Sequence, residues 1–547
     1  MKTPILGSTY VARSVNAADA RMVNLFPEVI PEGGLEPAFL NRAPGLRLLA
    51  SIGNGPIRGL WDFAPDSSTA FVVSGNQFFK IDSNYVPTLL GTVAGTGPVS
   101  IADNGNQVFI AANGPSYIYN NTTNVFQQIT DPDFPGAVSV GYLDGYFVFN
   151  EPNSQRLWIT SLLEGLSVDP LDFVSAEGAP DDVTALIVDH REVWVLGTNS
   201  VEVWYNAGTA DFPLQRIQGA FNEIGCISPY SLAKLDNGVF WLGSDARGKG
   251  IVYRANGYTG TRISTHAVEW QIQQYNDITD AFGYTYQQDG HAFYVLIFPS
   301  ANTTWVYDVA TQAWHERAGF DNGQFTRHRS NCQMAFNNQI VVGDFENGNI
   351  YAFDLEDYSD NGSIQKWLRT WRALPTGQNN FKRTAQHSLQ LNCEAGVGLN
   401  LFPAYDAEEL TAEDGDILIA EYVQNEITAE TGEVLTTEAG DGFEPLVDAA
   451  AYPVPFVPPM MLSTIGYPAA PGYDPEVMLR WSDDGGHTWS NEHWTSLGPI
   501  GAYGRRTFWR RLGMTLKLRD RVYELSGTDP VKIAIMGAEL ILSPTAS

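Results

Sequence analysis

The chain has 547 residues, of which 62 are acidic and 32 are basic, so its formal net charge at pH 7 is −30. Phosphate contacts require lysine and arginine, and this charge therefore argues against tight, non-specific binding of nucleic acid. The 44% apolar content excludes a disordered chain, and the many aromatic, Gly and Pro residues favour an all-β protein over a helical bundle.

The N-terminal residues 1–60 are interpreted as an arm that leads into the first domain. They contain no apolar run of signal-peptide length, and the later apolar stretch 449–462 contains four prolines and is too short to span a bilayer. Three distant cysteines, Cys226, Cys332 and Cys393, indicate reduced thiols and no disulfide framework. These features predict a soluble protein without a membrane anchor, made in a cytoplasm.

A hairpin pattern recurs within residues 61–383. Each unit has an apolar and aromatic strand, a turn rich in Gly, Asn, Asp or Ser, and a second strand. Seven units recur about every 40–50 residues, the length of a β-propeller blade: Asp66–Asn84, Asn104–Asn120, Leu143–Thr160, Asp189–Asn206, Leu235–Arg254, Gln288–Trp314 and Phe336–Asp354. Packing blades around an axis buries both faces of every sheet. We predict a propeller of six or seven blades, because one hairpin could belong to a closing or accessory sheet.

Residues 384–547 are predicted to form a C-terminal β-sandwich-like domain with an acidic, Pro-flanked insertion at 403–475. Thr384–Leu479 holds 17 Asp and Glu residues and no Lys or Arg. Within it, LTAEDGDILIAE at 410–421 and ITAETGEVLTTE at 427–438 each place a Gly turn between β-prone flanks. This repeat predicts a protruding acidic hairpin.

The segment SDDGGHTW, residues 482–489, matches the Asp-box pattern S-x-D-x-G-x-T-W at every position. Its aspartate is expected to accept hydrogen bonds from turn amides, its glycine to relax the turn, and its tryptophan to pack beneath. A glycosidase would need several boxes, placed carboxylates and an arginine cluster, so we interpret this one as a structural staple. Its residues are Ser482, Asp484, Gly486, Thr488 and Trp489.

Seven basic residues lie between positions 505 and 521, where apolar and basic side chains alternate as in a strand with one apolar and one basic face. They are Arg505, Arg506, Arg510, Arg511, Lys517, Arg519 and Arg521. Two interpretations remain open. The strand is either a solvated sheet face or a subunit interface that meets the acidic insertion of a neighbouring copy.

The other motifs nominate no active site. GSDARGKG at 243–250 nearly matches a phosphate loop, but Gly250 replaces the Ser or Thr and no helix follows, so we predict a blade turn. The eight histidines lack metal-ligand spacing and are interpreted as surface or turn residues, and Asp181 and Asp182 as a solvated loop. We predict no catalytic, cofactor-binding or metal-binding residue, and therefore no enzyme.

A resemblance to a known family begins at the N-terminus, which reads NAADARMVNLFPEVIPEGG, LNRAPGLRLL and GPIRGLWDF. It continues in order through VEVWYNAG, GCISPYSLAKLDNGVFWLG and FWRRLGMTLKLR. These segments resemble the packaged-DNA stabilisation proteins of short-tailed bacteriophages, also called tail accessory, tail hub or nozzle proteins. The resemblance does not cover the acidic insertion.

The resemblance implies a propeller core and a ring, usually of six copies, below the portal and adaptor rings. Such a ring extends the DNA channel and helps to retain the packaged genome. Implied partners are the adaptor or head-completion ring, tail fibres, spikes or a needle, and double-stranded DNA that passes without sequence-specific binding. The implied location is the virion tail, after synthesis and assembly in the bacterial host cytoplasm.

The predicted function is therefore that of a structural virion protein. Carboxylates repel phosphate only within about 8–10 Å at physiological salt, so part of the acidic surplus is predicted to line the channel. The alternative, motivated by the aromatic content and the Asp-box, is a glycan-binding or glycan-cleaving, sialidase-like propeller that acts in receptor recognition. A third possibility is a cellular propeller scaffold.

Overall fold

The computed structural model describes residues 1–547 except 15–17, 33, 35, 210–211, 376, 379–382, 400–409, 412–416, 419–470, 517–520 and 546–547. Six short strands precede the first blade. They are β1 Tyr10–Val11, β2 Asp19–Ala20, β3 Met22–Val23, β4 Leu25–Val29, β5 Ala38–Arg42 and β6 Gly45–Ser51.

The first four blades are antiparallel four-stranded sheets whose strands follow one another in the chain. Blade one contains β7 Ile57–Asp62, β8 Ala70–Ser74, β9 Gln77–Ile81 and β10 Pro87–Thr92. Blade two contains β11 Ser100–Asp103, β12 Gln107–Ala111, β13 Ser116–Asn120 and β14 Val125–Gln128. Blade three contains β15 Val140–Leu143, β16 Tyr146–Asn150, β17 Arg156–Ile159 and β18 Phe173–Ser175. Blade four contains β19 Val183–Asp189, β20 Glu192–Gly197, β21 Val201–Asn206 and β22 Leu214–Asn222.

Blade five has a divided first strand. The strands β23 Gly225–Cys226 and β24 Ala233–Leu235 both pair with β25 Gly238–Asp245, and the 3-10 helix Pro229–Ser231 separates them. Proline has no N–H to donate to a ladder, which accounts for the interruption. The sheet continues with β26 Gly248–Asn256 and β27 Thr259–Arg262, and helix α1 His266–Gln273 follows. Among the described residues, no helix has the length and apolar content needed to cross a bilayer.

Blade six contains β28 Phe282–Gln288, β29 His291–Phe298, β30 Thr303–Asp308 and β31 Ala313–Asp321, and β32 Gln324–Arg327 pairs with β31. Blade seven contains β33 Ser330–Phe336, β34 Gln339–Asp344 and β35 Asn349–Asp354. Its fourth strand is β6 from the N-terminal segment, which pairs antiparallel with β35 from Ser51 opposite Asn349 to Gly45 opposite Asp354. The hairpin β36 Ser359–Asp360 and β37 Ser363–Ile364 completes this sheet.

The predicted all-β propeller is confirmed, and the described residues form seven blades. Every predicted hairpin is the central hairpin of a blade. Seven apolar clusters lie between successive blades. The cluster that closes the propeller joins Ile57 and Leu60 of blade one to Met334 and Val341 of blade seven. These clusters cover both faces of each blade in the described part of the propeller, as stacking of blades requires.

A β-sandwich follows the propeller. Its strands are β38 Trp367–Arg372, β39 Thr384–Cys393, β42 Glu476–Ser482, β43 His493–Ser496, β44 Thr507–Arg510, β45 Val522–Gly527 and β46 Ala534–Pro544. One sheet has the order β3-β38-β45-β42-β43, and the other has the order β4-β5-β46-β39-β44. Trp367, Trp371 and Tyr523 are fully buried within it.

The N-terminal segment is part of both domains. Strands β3, β4 and β5 belong to the sandwich sheets, whereas β6 completes blade seven. In addition, β3 pairs with β31 of blade six through Val23 and Glu316 and with β38 through Val23 and Leu368. A single hydrogen-bonded sheet therefore runs from the propeller into the sandwich.

Residues 398–474 form a separate unit, most of which lies outside the described residues. The described part includes β40 Leu410–Thr411 and β41 Ile417–Leu418, which pair antiparallel. This pair lies in the first copy of the predicted acidic repeat. The second copy and the Pro-rich stretch lie outside the described residues.

Candidate interaction surface of the β-sandwich

The Asp-box turn begins where β42 ends. Ser482 Oγ donates to Asp484 Oδ1 at 2.6 Å and accepts from Gly486 N at 2.8 Å. Asp484 also accepts from His487 N at 3.0 Å, from Thr488 N at 2.9 Å and from the Thr488 hydroxyl at 2.6 Å. The hydrogen bonds from Ser482 and Thr488 hold the pKa of Asp484 well below its usual range. This carboxylate is therefore engaged in forming the turn.

The glycine and the tryptophan of the box serve packing. Gly486 has φ +104°, and a Cβ at that position would lie 2.7 Å from Asp19 Oδ2 on β2. Glycine suits this position because it readily adopts a positive φ and has no Cβ to collide with Asp19. Trp489 is half-buried, and the Arg480 guanidinium lies 4.9 Å from its ring centroid. All five predicted residues of the motif lie in this one turn, and their role as a structural staple stays a prediction.

A buried ion pair supports the same turn. Arg521, only 3% exposed, donates from Nε and Nη2 to the two oxygens of Asp483 at 2.6 and 2.7 Å and from Nη1 to Leu512 O at 2.6 Å. The two residues are 38 positions apart, and nothing in the sequence predicts that they meet. Asp483 and Asp484 are thus both saturated by their neighbours and do not form a free carboxylate pair.

Four predicted basic residues are exposed around the edge strand β44, and we call them the basic patch: Arg505, Arg506, Arg510 and Arg511. Arg506 Nη2 donates to Gln390 Oε1 at 2.7 Å, and the Arg510 guanidinium lies 4.5 Å from the Phe508 ring centroid. No ion pair joins the patch to an acidic side chain in the described part of the chain. On a protein of net charge −30, four guanidinium groups without an ion-pair partner among the described residues suit an acidic partner.

The predicted basic strand is not one strand. β44 ends at Arg510, and the left-handed backbone of Arg511 and Gly513, with φ +58° and +77°, breaks the alternation. Met514 and Leu516 are therefore exposed, whereas Thr515 is buried and bonds to Thr384. Arg521 belongs to the buried pair described above, and Lys517 and Arg519 lie outside the described residues.

Family models match both domains. The model described as bacteriophage P22 Gp10, β-propeller, matches residues 1–358, and the one described as bacteriophage P22 Gp10, β-sandwich, matches residues 460–542. The chain belongs to the bacteriophage P22 Gp10 family. This confirms the resemblance to phage DNA-stabilisation and tail accessory proteins, and the Gp10-family chain is accordingly a structural protein of a phage virion.

Solved structures show only a distant likeness. The computationally designed Ika8 protein is 15% identical, with a TM-score of 0.35 over 61% of this chain and 99% of that one. The N-terminal domain of Nup159 is 10% identical, with a TM-score of 0.36 over 59% and 97%. The β-propeller domain of Myceliophteria thermophila Cps50 (Swd1) is 7% identical, with a TM-score of 0.37 over 56% and 98%. At these scores the likeness carries no argument about function. A comparison with curated protein sequences gave no match.

Two motifs of the propeller have structural roles in the Gp10-family chain. The GSDARGKG segment is the β25–β26 hairpin, with Asp245 opposite Gly248, and the predicted blade turn is confirmed. Asp181 is buried and accepts from Asn199 N at 2.6 Å and from the Ser200 hydroxyl at 2.9 Å. Its interpretation as a solvated residue is wrong, because it closes the β20–β21 turn from a neighbouring connection.

Three histidines are buried, so their interpretation as surface residues is wrong. His291 and His315 lie on strands that face blade seven, and His328 lies in the connection from β32 to β33. The spacing of the histidines in the sequence does not predict their burial, because it depends on pairing between distant strands. Within the described ranges, no three His, Cys, Asp or Glu side chains are grouped as ligands for a metal ion. The three cysteines are free thiols.

Proposed function

We propose that this Gp10-family chain is a subunit of a ring, a tail hub or nozzle, that lies below the portal-adaptor assembly and retains packaged DNA. The observation that carries the proposal is the ordered match of both Gp10 domains to one chain. The ring has six copies in this proposal. Its partners are the adaptor or head-completion ring above, with tail fibres, spikes or a needle at its other surfaces. The chain is made and assembled in the bacterial host cytoplasm.

The construction of the propeller supports a mechanical role. Apolar cores between all seven blades and the pairing of β6 with β35 leave no blade free to open alone. The β31-β3-β38 ladder couples the propeller to the sandwich by backbone hydrogen bonds. A conduit that holds DNA under pressure needs this stiffness.

The charge supports passage of DNA without binding. The net charge of −30 opposes adhesion of phosphate, and repulsion acts where carboxylates lie within about 8–10 Å of the DNA. We therefore propose that part of the acidic surplus lines the channel. The basic patch is proposed to face away from the channel and to meet acidic residues of a neighbouring copy.

Native mass spectrometry and negative-stain imaging of the purified full-length chain, alone and with its adaptor ring, test the proposal. We expect closed rings of six copies with a central opening. Phage that lack this gene are expected to form particles that package DNA and then lose it. Monomers under every condition, or particles that keep their DNA without the chain, would contradict the proposal.

A further inference from the structure

An arginine is enclosed by aromatic rings between blades six and seven. Arg317 lies on β31, and its side chain is buried with 2% of its surface exposed. Its guanidinium carbon lies 5.5 Å from the ring centroid of Tyr286, 5.3 Å from that of Phe293 and 5.5 Å from that of Phe353. Aromatic faces stabilise a cation, but they do not accept the in-plane N–H bonds of a guanidinium group.

The guanidinium of Arg317 makes no well-aligned hydrogen bond to the described residues. Nε and both terminal nitrogens are buried without such a partner, although the Tyr286 hydroxyl lies close to them. Three other buried arginines behave differently, because Arg42, Arg58 and Arg369 each donate to backbone carbonyls. Arg58, for example, reaches four carbonyl oxygens. The chain therefore supplies backbone acceptors to buried arginines elsewhere, whereas the described residues supply no backbone acceptor to Arg317.

Further unpartnered polar atoms lie around the same aromatic rings. Both ring nitrogens of His315, Nε2 of His328 and the hydroxyl of Tyr286 are buried without a hydrogen-bond partner. The His315 ring lies 5.9 Å from Phe293, and the His328 ring lies 5.8 Å from Phe353. A neutral imidazole and a phenol each offer one donor. Together with the guanidinium they place several buried donors around the Tyr286, Phe293 and Phe353 rings.

No carboxylate of the described residues forms a direct ion pair with Arg317. Burial lowers the pKa of His315 well below its usual value and that of His328 to about 3, so both rings are neutral at pH 7. Asp308 forms no ion pair with Arg317. It accepts instead from His291 at 2.8 Å and from the Thr311 hydroxyl at 2.6 Å. Arg317 is therefore a buried cation without an ion-pair partner among the described residues, and such a charge is costly.

We infer that the interface between blades six and seven binds a small monovalent inorganic anion against Arg317. The anion accepts hydrogen bonds from the guanidinium and from the neighbouring donors of Tyr286, His315 and His328. A water molecule would accept some of these bonds but would leave the guanidinium without a counter-ion in direct contact. Because the site is enclosed, the anion is taken up as the blades pack together, and its binding stabilises the folded propeller. This inference does not depend on the proposed function.

Chloride is the probe for a stability test on the full-length chain. Chloride replaces gluconate at constant ionic strength and pH while the thermal unfolding midpoint is measured. Above the dissociation constant we expect the midpoint to rise by about 1 °C for each tenfold increase in chloride. Arg317→Met removes the charge and keeps a long apolar side chain, and it should abolish the rise. Arg47→Met removes an exposed guanidinium bound to Asp354 and should preserve it.

Crystals of the native chain grown in bromide give a direct test that needs no variant. An anomalous peak within about 4 Å of the Arg317 nitrogens supports the site. The absence of such a peak would overturn the inference even if Arg317→Met fails to fold. An undiminished chloride response in a folded Arg317→Met variant would overturn it as well.

Discussion

Arg21 and Glu316 form a bidentate ion pair where the N-terminal segment joins the propeller to the sandwich. Arg21 Nε and Nη2 donate to Glu316 Oε1 and Oε2 at 2.9 and 2.7 Å. The backbone of Glu316 pairs with Val23 in the same region. The ion pair therefore reinforces the place at which β3 joins the sheet of blade six to the sandwich.

Glu316→Gln should weaken this junction. It leaves a half-buried guanidinium without its counter-charge, and we expect the free energy of unfolding to fall by about 1–3 kcal/mol. Urea denaturation of the full chain measures the loss. Asp236→Asn is the control, because its pair with Arg254 is more exposed and should contribute less than about 1 kcal/mol. Equal losses in the two variants would mean that the pair at the junction has no special role.

Closure of the propeller at blade seven should depend on Gly45. A Cβ at this residue would lie 2.3 Å from Asp357 O and 2.5 Å from Ser359 O, so Gly45→Ala must push β6 away from the backbone at 357–359, which follows β35. We expect a loss of about 1–3 kcal/mol and earlier proteolytic cleavage near residue 45. Gly97→Ala meets no atom within 4 Å and is the matched control. A neutral Gly45→Ala would show that β6 is not held tightly in blade seven.

The Asp-box should make stability depend on pH through Asp484. Its pKa is lowered in the folded protein, so its contribution is present above the unfolded value of about 3.9 and is lost as pH falls through the folded value. Asp484→Ala should therefore lower the unfolding midpoint at pH 7, and the difference from the native chain should shrink below about pH 4. Glu492→Ala, an exposed neighbour, should change the midpoint little. A difference that persists unchanged to low pH would contradict this role of the carboxylate.

The blades could be predicted because each central hairpin is local. Strands β20 and β21 of blade four, for example, are separated by three residues, and their alternating valines Val193, Val195, Val201 and Val203 are all buried as strand periodicity requires. The pairing of β6 with β35 has no comparable signal, because about three hundred residues separate the strands. The same holds for β3, because its two residues are a strand only through their pairing with β31 and β38.

The candidate surface was less predictable than the fold. The Asp-box is a contiguous motif, and its five residues do lie in one turn. The run of basic residues in the sequence, however, does not distinguish Arg510, which is exposed, from Arg521, which is buried in its ion pair with Asp483. The difference arises from the left-handed residues Arg511 and Gly513, which redirect the chain after β44.

The basic patch should contribute to ring assembly. If it meets acidic residues of a neighbouring copy, the double variant Arg510→Gln and Arg511→Gln should raise the apparent dissociation constant of the ring about tenfold at low salt. The double variant Arg191→Gln and Lys249→Gln changes the net charge equally at two exposed positions of the propeller and is the control. Sedimentation velocity over a protein dilution series measures both.

Salt provides a second readout of the same interface. Ion pairs at an exposed interface weaken as the Debye length shortens from about 14 to about 4 Å between 0.05 and 0.5 M NaCl. The native ring and the ring of the Arg510→Gln and Arg511→Gln double variant should therefore differ less in apparent dissociation constant at the higher salt concentration. Assembly that is equally tight in both double variants would assign the patch to a solvated sheet face. An unchanged difference at high salt would indicate that the two side chains contribute by packing and not by charge, since packing contacts are not screened.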